Sequence, residues 1–440
     1  MQLKRLVFIG ILILIGLTAL PLMIPTTAYL PQVEHMAAAS VGAPVKINSL
    51  HLAIIPTPRI LIDGITIGAH EEVRVDHVSA IIAMDSLLAR RKSISHLKID
   101  HPVIRKSALP LLASLASSRT SAAPSIAVNI RNIDIHEAEL QWDALSLPRF
   151  DVKGAMQDGM IQSLEIDSTD HKLHAEITPQ QDRWMIKAKA SQWTPPLGPP
   201  LFFDEMEINA TLEGAHLRID QYTAKLYAGV VTGNAALDWS KDWRCSGKVN
   251  VGHMEITKPT SMLSKNIRVS GSLTGSGTFH SVATQPEQLL QRLAADFKFN
   301  VDRGVLHGMD LAQAASLFIR QGQSGGETAF DKLSGRLHLV GKQIQVQDLQ
   351  VVSGLLAANG QVTISPAKTL NGQVDVELKK GLALVTVPLQ VSGTVDEPVV
   401  MPTRAAVAGA TAGTAVLGPL GTALGMKAGS AWDRWFGGKK

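Results

Sequence analysis

Residues 337–378 read LHLVGKQIQVQDLQVVSGLLAANGQVTISPAKTLNGQVDVEL, and the alternation in this stretch decides the fold class. Leu337 and Leu339, Ile344 and Val346, Leu349 and Val351, Leu355 and Ala357, Val362 and Ile364, then Val374, Val376 and Leu378 recur at every second position. A period of two puts such side chains on one face of a strand. Gly, Asn or Asp fills each turn between the runs, as hairpins require. An alternating strand has one wet face and one face that must be covered.

Upstream, the same pattern persists with weaker punctuation. Val45 and Ile47 with Leu50, Leu52 and Ile54 run to Pro56 and Pro58, then Ile60, Ile62, Ile65 and Ile67 follow with a break at Asp63-Gly64. Val73, Val75 and Val78 lead a strand ending near Met84, Asp85 to Leu88 reads as a turn or short helix, and Ile94 to Ile99 is another strand. Leu109 to Pro124, rich in Ser and Ala, divides this first module from the next. Further strand signals fall at Ile126–Ile130, Ile133–Trp142, Leu164–Ile166, Leu173–Ile177, Trp184–Ala190, Met206–Leu212, Leu217–Tyr222 and Val249–Ile256. The proline-rich Trp193 to Pro200 lacks ladder donors and reads as a loop or edge crossing. Helical patterns are few: Pro25 to Ser40, Gln285 to Ala295 and Asp310 to Arg320, the last two separated by a strand at Phe297–Val301. Roughly 25 strands against about four helices, the N-terminal segment included, leave two covers for the apolar faces: a second sheet, or a ligand such as lipid. Aromatics make up only 5 % of the chain, and Val, Ile, Leu and Ala suit either cover.

Leu6 to Ile24 is uncharged and follows Lys4 and Arg5. It is close to the roughly 20 residues that cross a bilayer as a helix. No charge follows until Glu34, so the positive-inside bias holds the first residues in the cytoplasm and sends the bulk of the chain across. The competing reading is a cleaved signal peptide, which has a shorter apolar core and a small-x-small site, poorly matched by Thr26-Thr27-Ala28. Phe8, Ile11, Leu14 and Leu17 would face lipid in the anchor. The single cysteine, Cys245, excludes an internal disulfide. A net charge of +4 spread along 440 residues gives nucleic-acid binding little support. Arg90-Arg91-Lys92 and Lys439-Lys440 are the clustered exceptions, and short charge runs of this kind are usually solvated.

At the other end, Ala405 to Met426 is uncharged and rich in small residues. Gly409 and Gly413 lie four apart, and Gly421, Gly425 and Gly429 repeat the interval. Small residues at that spacing let helices approach closely in lipid. Gly418-Pro419 breaks the run, so a helical hairpin is expected, edged by the interfacial Trp432 and Trp435. A flexible Ala/Gly tail is the competing reading.

Catalytic patterns are weak. Gly322-Gln-Ser-Gly-Gly326 fits G-x-S-x-G, but a helix precedes it and strands follow, the reverse of a nucleophile elbow. Gly275-Ser-Gly277 lacks the third glycine and acidic partner of a dinucleotide fingerprint. His171 and His174, three apart on one strand, would point to opposite faces and could not share a metal. The expectation is a chain without catalytic residue, metal or cofactor.

Several segments resemble the AsmA family of bacterial envelope proteins. They are Ala19 to Val33, Gly42 to Ile47, Leu50-His-Leu-Ala-Ile-Ile-Pro-Thr-Pro58, Ile65 to Gly68 and Ile94 to Ile104, then Phe297 to Leu306, Thr328 to Gly335, Gly354 to Gly360 and Val387 to Val395. The middle of the chain is similar only in style. An acidic residue expected near Pro25 to Ala28 is absent, and the chain is shorter than many members.

The resemblance implies a mainly β protein: an N-terminal transmembrane helix, then an elongated, curved antiparallel β-groove with a few short helices. It would be anchored in the bacterial inner membrane with its bulk in the periplasm. The parts expected are an anchor (1–25), an AsmA-like N-terminal module (26–108), a central meander (125–282), an AsmA-like C-terminal module (283–402) and a Gly/Ala-rich tail (403–440). Leu337, Leu339, Ile344, Val346, Val362, Ile364, Val374 and Val376 are the candidate groove-lining residues. Phospholipid or another acyl-chain lipid is the expected partner, with transport between membranes and outer-membrane biogenesis the implied function. The tail would contact the outer membrane or an envelope protein. The alternative function is a structural or regulatory factor in outer-membrane protein assembly with a closed β core. About 25 strands at about 4.8 Å reach roughly 120 Å at most, so bridging two membranes alone is not expected.

Overall fold

The structure, a computed structural model, describes residues 29–86, 93–108, 111, 129–142, 147–158, 160–196, 198–315, 325–380 and 383–410. The chain divides into two units, Met1–Pro200 and Leu201–Lys440. The anchor residues Phe8, Ile11, Leu14 and Leu17, the divider 112–124, and Gly413, Gly421, Gly425, Trp432 and Trp435 lie outside the described residues. Among the described residues, no helix is long and apolar enough to cross a membrane.

The first unit opens with helix α1 (Leu30–Val41), which has proline in its first turn and ends at Gly42 with φ 74°. The left-handed glycine stops the helix, as it does in many C-caps. Nine strands follow: β1 (Val45–Ala53), β2 (Arg59–Ile67), β3 (Val73–Ile82), β4 (Ser93–Arg105), β5 (Asn129–Gln141), β6 (Phe150–Gln157), β7 (Met160–Ser168), β8 (Leu173–Gln180) and β9 (Arg183–Trp193). Each pairs antiparallel with the next except β4 and β5, which run parallel. A parallel pair needs a return connection of a dozen or more residues, and the chain between Arg105 and Asn129 supplies it. Glu34 on α1 accepts a hydrogen bond from the Ile47 backbone N–H at 2.7 Å. Helix α1 therefore sits against the outer strand, one of the ways an edge is kept from pairing with other chains. The buried centre comprises Val73, Val75, Val78 and Ala108, with Ile62, Ile65 and Ile99 packed against it.

The second unit holds thirteen strands among the described residues: β10 (Phe203–Glu213), β11 (His216–Leu226), β12 (Gly229–Asp238), β13 (Trp243–Glu255), β14 (Arg268–Val269), β15 (Ser272–Ala283), β16 (Ala294–His307), β17 (Glu327–Val340), β18 (Gln343–Val352), β19 (Leu356–Ile364), β20 (Leu370–Lys380), β21 (Ala383–Gly393) and β22 (Pro398–Pro402). They form an antiparallel meander in which β13 pairs with β15, and the short β14 pairs with the end of β16. Helix α2 (Thr257–Ser261) precedes β14, α3 (Leu311–Ala314) follows β16, and residues 404–410 are helical. The second unit's core gathers Val374, Val376, Val387, Leu389, Val400, Ala406 and residues of α3.

Mainly β architecture, long antiparallel ladders and few short helices match the expectation, with 22 strands described. Four details differ, and a fifth lies partly outside the described residues. The Gln285 to Ala295 helix is a single 3-10 turn, Pro286–Gln288, because Ala294 already belongs to β16. Of the Asp310 to Arg320 helix, Leu311–Ala314 is described, capped by Asp310 Oδ1 accepting from the Gln313 N–H at 2.8 Å. The Asp63-Gly64 break does not interrupt β2, which pairs with β1 on both sides of it. Ile126–Ile130 and Ile133–Trp142 are not two strands, since β5 runs from Asn129 through Gln141. The inward pair is Leu356 and Ala358, not Leu355 and Ala357. Leu355 is 75 % exposed, while Leu356 and Ala358 are 2 % and 1 % exposed. Ser353 Oγ accepts from the N–H groups of Leu355 and Leu356 and turns the chain there, which sets the phase one residue later.

Candidate functional site

In each unit the strand register carries one apolar face across the whole sheet. In the second unit, Ile208 on β10 lies opposite Tyr222 on β11, Tyr222 opposite Gly233 on β12, and Gly233 opposite Val249 on β13. The line continues through Gly277, Phe297 and Leu337 to Val346 on β18. From Val346 it passes to Val362, Gly372 and Val391. The first unit has the same construction, for example Leu50, Ile62, Val78, Ile99, Ile135, Val152, Ile166, Ala175 and Ala188 in successive strands.

Strands of 10 to 14 residues do not alternate strictly from end to end, and five residues correct the phase. His101, Glu137, His253, Arg303 and Asp348 have φ between 48° and 53° in β4, β5, β13, β16 and β18. Each is preceded two positions earlier by Ile or Val and followed by a residue on the same face: Ile99 and Pro102, Ile135 and Ala138, Val251 and Met254, Val301 and Gly304, Val346 and Leu349. Beside Glu137, His253 and Asp348 the register shifts, and a left-handed residue at such a bulge absorbs one extra position, so residues three apart share a face. In β18, the register passes from Val346 opposite Val362 to Leu349 opposite Gly360, and the apolar face stays continuous.

Glycines on this face seat aromatic rings. A Cβ on Gly247 would lie 2.5 Å from Phe279 Cζ, one on Gly275 2.5 Å from Phe297 Cζ, one on Gly304 2.6 Å from Phe330 Cζ, and one on Gly233 2.5 Å from the Tyr222 hydroxyl. Gly275 and Gly277 thus lie within strand β15 under a ring, and not in a phosphate-binding turn. Burial of Tyr222 pushes its phenol pKa above the usual value, and the hydroxyl donates to the Lys248 carbonyl at 3.1 Å. Cys245 shares the face beside Leu237, and burial raises its thiol pKa.

Among the described residues, the face is covered at one end only. Over β10 to β13, Met206, Ile208, Leu212, Leu217, Ile219, Leu237, Val249 and Val251 are all partly exposed, and full burial is confined to small residues such as Ala210 and Ala224 and to Leu226 at a strand end. Over β20 to β22, Val376, Val387 and Leu389 are 0 % exposed. There α3 packs against β17, β20 and β22. Leu311 N–H donates to Thr328 Oγ1 at 2.9 Å, and that hydroxyl donates to the Met309 carbonyl at 2.8 Å, which pins the helix to β17. The loop after α2 is tied to the turn between β21 and β22. Asn266 Nδ2 donates to the Asp396 carbonyl at 2.7 Å, Lys265 N–H donates to Asp396 Oδ1 at 3.2 Å, and Ser264 Oγ lies 3.1 Å from Asp396 Oδ1. The Lys265 N–H and the Ser264 hydroxyl hold the Asp396 carboxyl below its usual pKa.

The eight residues singled out from the sequence lie on the apolar face of the second unit. Leu337, Leu339, Ile344, Val346, Val362 and Ile364 are half-buried, while Val374 and Val376 are buried in the C-terminal cluster. Gly409 belongs to the helical 404–410, whose Ala406 and Ala410 join that same cluster. Sequence reading missed Met206, Ile208, Leu237, Phe279 and Phe297, the more open part of the face. Met206, Ile208 and Phe297 lie in strands that the alternation does show, whereas glycine and polar neighbours in β12 and β15 conceal Leu237 and Phe279.

The opposite face is polar. Cross-strand pairs include Lys225 Nζ with Glu205 at 2.7 Å and His338 Nδ1 with Asp296 at 2.6 Å. In the first unit, Glu165, Asp167 and His174 come close enough to share a cation. His174 Nδ1 lies 2.8 Å from Asp167 Oδ1, a contact that raises the histidine pKa, and Lys187 and Lys189 stand opposite Glu176 and His174. His171 instead occupies the β7–β8 turn. The cross-strand carboxylates could not be read from histidine spacing.

Residues 197–348 match the model of the AsmA family, in agreement with the resemblance read from the sequence. The match falls on the middle of the chain and part of its C-terminal third, from β10 into β18, which includes the section whose apolar face is least covered. No curated protein and no solved structure matches the chain.

Proposed function

We propose, with the AsmA family match over residues 197–348 as premise, that the chain is an envelope protein whose apolar sheet face shelters the acyl chains of lipids. The observation that carries this reading is the continuous, partly exposed apolar face over β10 to β13. A closed β core is not favoured, because facing side chains in such a core would be buried. Each large aliphatic side chain contributes about 1.5–3 kcal/mol when fully removed from water, so the affinity is distributed over many contacts. No bond is made or broken in this reading.

Transfer between membranes and support of outer-membrane biogenesis follow from the same proposal. So does an inner-membrane tether through Leu6 to Ile24, with the bulk of the chain in the periplasm. The buried cluster of β20 to β22 means that lipid enters and leaves the second unit elsewhere than at its C-terminal strands.

The test is photo-crosslinking of the full chain in Gram-negative cells, with a benzophenone amino acid at Leu237 on the apolar face or at the adjacent, exposed Ala236. Lipid adducts at 237 and none at 236 are expected. Equal adducts at both, or adducts at neither, would sink the proposal.

A further inference from the structure

The polar face of the second unit changes character between β17 and β18. From β10 to β17 it carries charges, including Lys225 paired with Glu205 and Arg218 paired with Asp220. From β18 to β21 amides take over. Gln345, Gln347, Gln361, Asn371, Gln373 and Gln390 line one depression of about 710 Å3, with Arg404 as its one charged lining residue among the described residues. A neighbouring depression of about 630 Å3 shares Gln347, Gln361 and Gln373 and extends to Gln350, Asn359 and Asp375. Asp348 at its edge is neutralised by Arg336, whose Nε donates to Oδ2 at 2.6 Å. From Gln345 to Gln350 the two depressions follow the strands for about 17 Å at about 3.4 Å per residue.

We propose that this amide trough binds a neutral glycan. Each Gln or Asn side chain offers both donors and an acceptor, the same duality that a sugar hydroxyl or acetamido group presents. Among the described residues, no hydrogen bond engages these six amides, so they are available to a ligand. Arg404 is offset by Asp375 and Asp348 by Arg336, so the trough carries little net charge and no field to hold a phosphate-rich ligand such as nucleic acid or an anionic head group. An extended peptide binds sheets by adding to an edge, and here the backbone ladders of β18 to β21 are already paired. A neutral, polyhydroxylated chain fits what remains. This inference does not rest on the lipid reading, because the trough is on the opposite face and its ligand is water-soluble.

The experiment is ligand-observed saturation-transfer NMR on the purified full chain, with chitotetraose as the probe. Saturable transfer is expected, weakened about fivefold by Gln361→Ala with Gln373→Ala, about what the loss of one net hydrogen bond does. Gln361→Asn with Gln373→Asn keeps the amides and is expected to retain most of the binding, which separates lost contacts from lost folding. Thr278→Ala, on the charged part of the same face, is expected to change nothing. The proposal is overturned by absence of saturable transfer up to about 20 mM sugar. Transfer that the alanine pair leaves intact, or self-association of the chain through this face in place of sugar binding, overturns it equally.

Discussion

Gly247 and Phe279 show why single residues matter on a face that must stay smooth. The ring lies across the neighbouring strand, and an alanine methyl at 247 would meet it at 2.5 Å. Gly247→Ala is therefore expected to destabilise the second unit by about 1–3 kcal/mol in chemical denaturation. Gly252→Ala in the same strand would meet nothing closer than 3.7 Å and should be neutral or slightly stabilising. Cys245 supplies a native reporter on the same face. Its raised thiol pKa keeps it protonated near neutrality, so alkylation should be slow, and slower still when phospholipid is bound. Labelling that lipid leaves unchanged would place the ligand elsewhere. His174 makes a separate pH prediction. Its pKa is raised chiefly by the hydrogen bond to Asp167, so the protonated form favours the folded chain. That contribution is fully present below the unfolded value of about 6.5 and is lost as pH rises through the folded value. The melting-temperature difference between wild type and His174→Gln should thus be larger at pH 5.5 than at pH 8.

Elements were legible in proportion to how strictly they alternate. β18, β19 and β20 stood out because Ile, Val and Leu occupy one face and Gln, Asn and Asp the other. β6, β12 and β15 were not read. β12 carries two glycines, and β15 two glycines and three serines, which weaken the strand signal; Gly275 and Gly277 are explained by the Phe297 ring on the next strand, and Gly233 by the Tyr222 ring on the strand before. β5 was read as two strands, and its phase-shifting Glu137 is invisible without a partner's register. The apolar face itself was foreseeable, whereas its unequal covering was not, because α3 and the loop after α2 reach it across long sequence separations. The bulges give a direct test. Asp348→Gly preserves the left-handed conformation and should alter stability by no more than about 1 kcal/mol. Deleting Asp348 instead turns Leu349 and Val351 toward the polar face. Val351 is 3 % exposed, and its loss alone is expected to cost about 1.5–3 kcal/mol by denaturant titration.

On the scale of the whole molecule, the unequal covering of the second unit turns a continuous apolar face into one with a sealed end. The open section from β10 to β13 spans about 14 Å at about 4.8 Å between strands. In the proposed reading, lipid bound along this face would end at the cluster around Val376, Val387 and Leu389, where the protein fills its own face. Asp396 ties the loop 264–266 across this end, and its lowered pKa indicates that the ionised form is the one engaged. The stability from that contact is present above the ordinary carboxylate value and is lost as pH falls through the lowered folded value. Asp396→Ala should accordingly raise amide exchange in residues 256–270, while exchange in the β10–β11 hairpin stays as in wild type. If the seal limits how much of the face lipid can occupy, the same variant should also yield more lipid per chain in native mass spectrometry. Faster exchange without added lipid would mean that α3 and the β20–β22 cluster close the end by themselves, with Asp396 only fastening a loop.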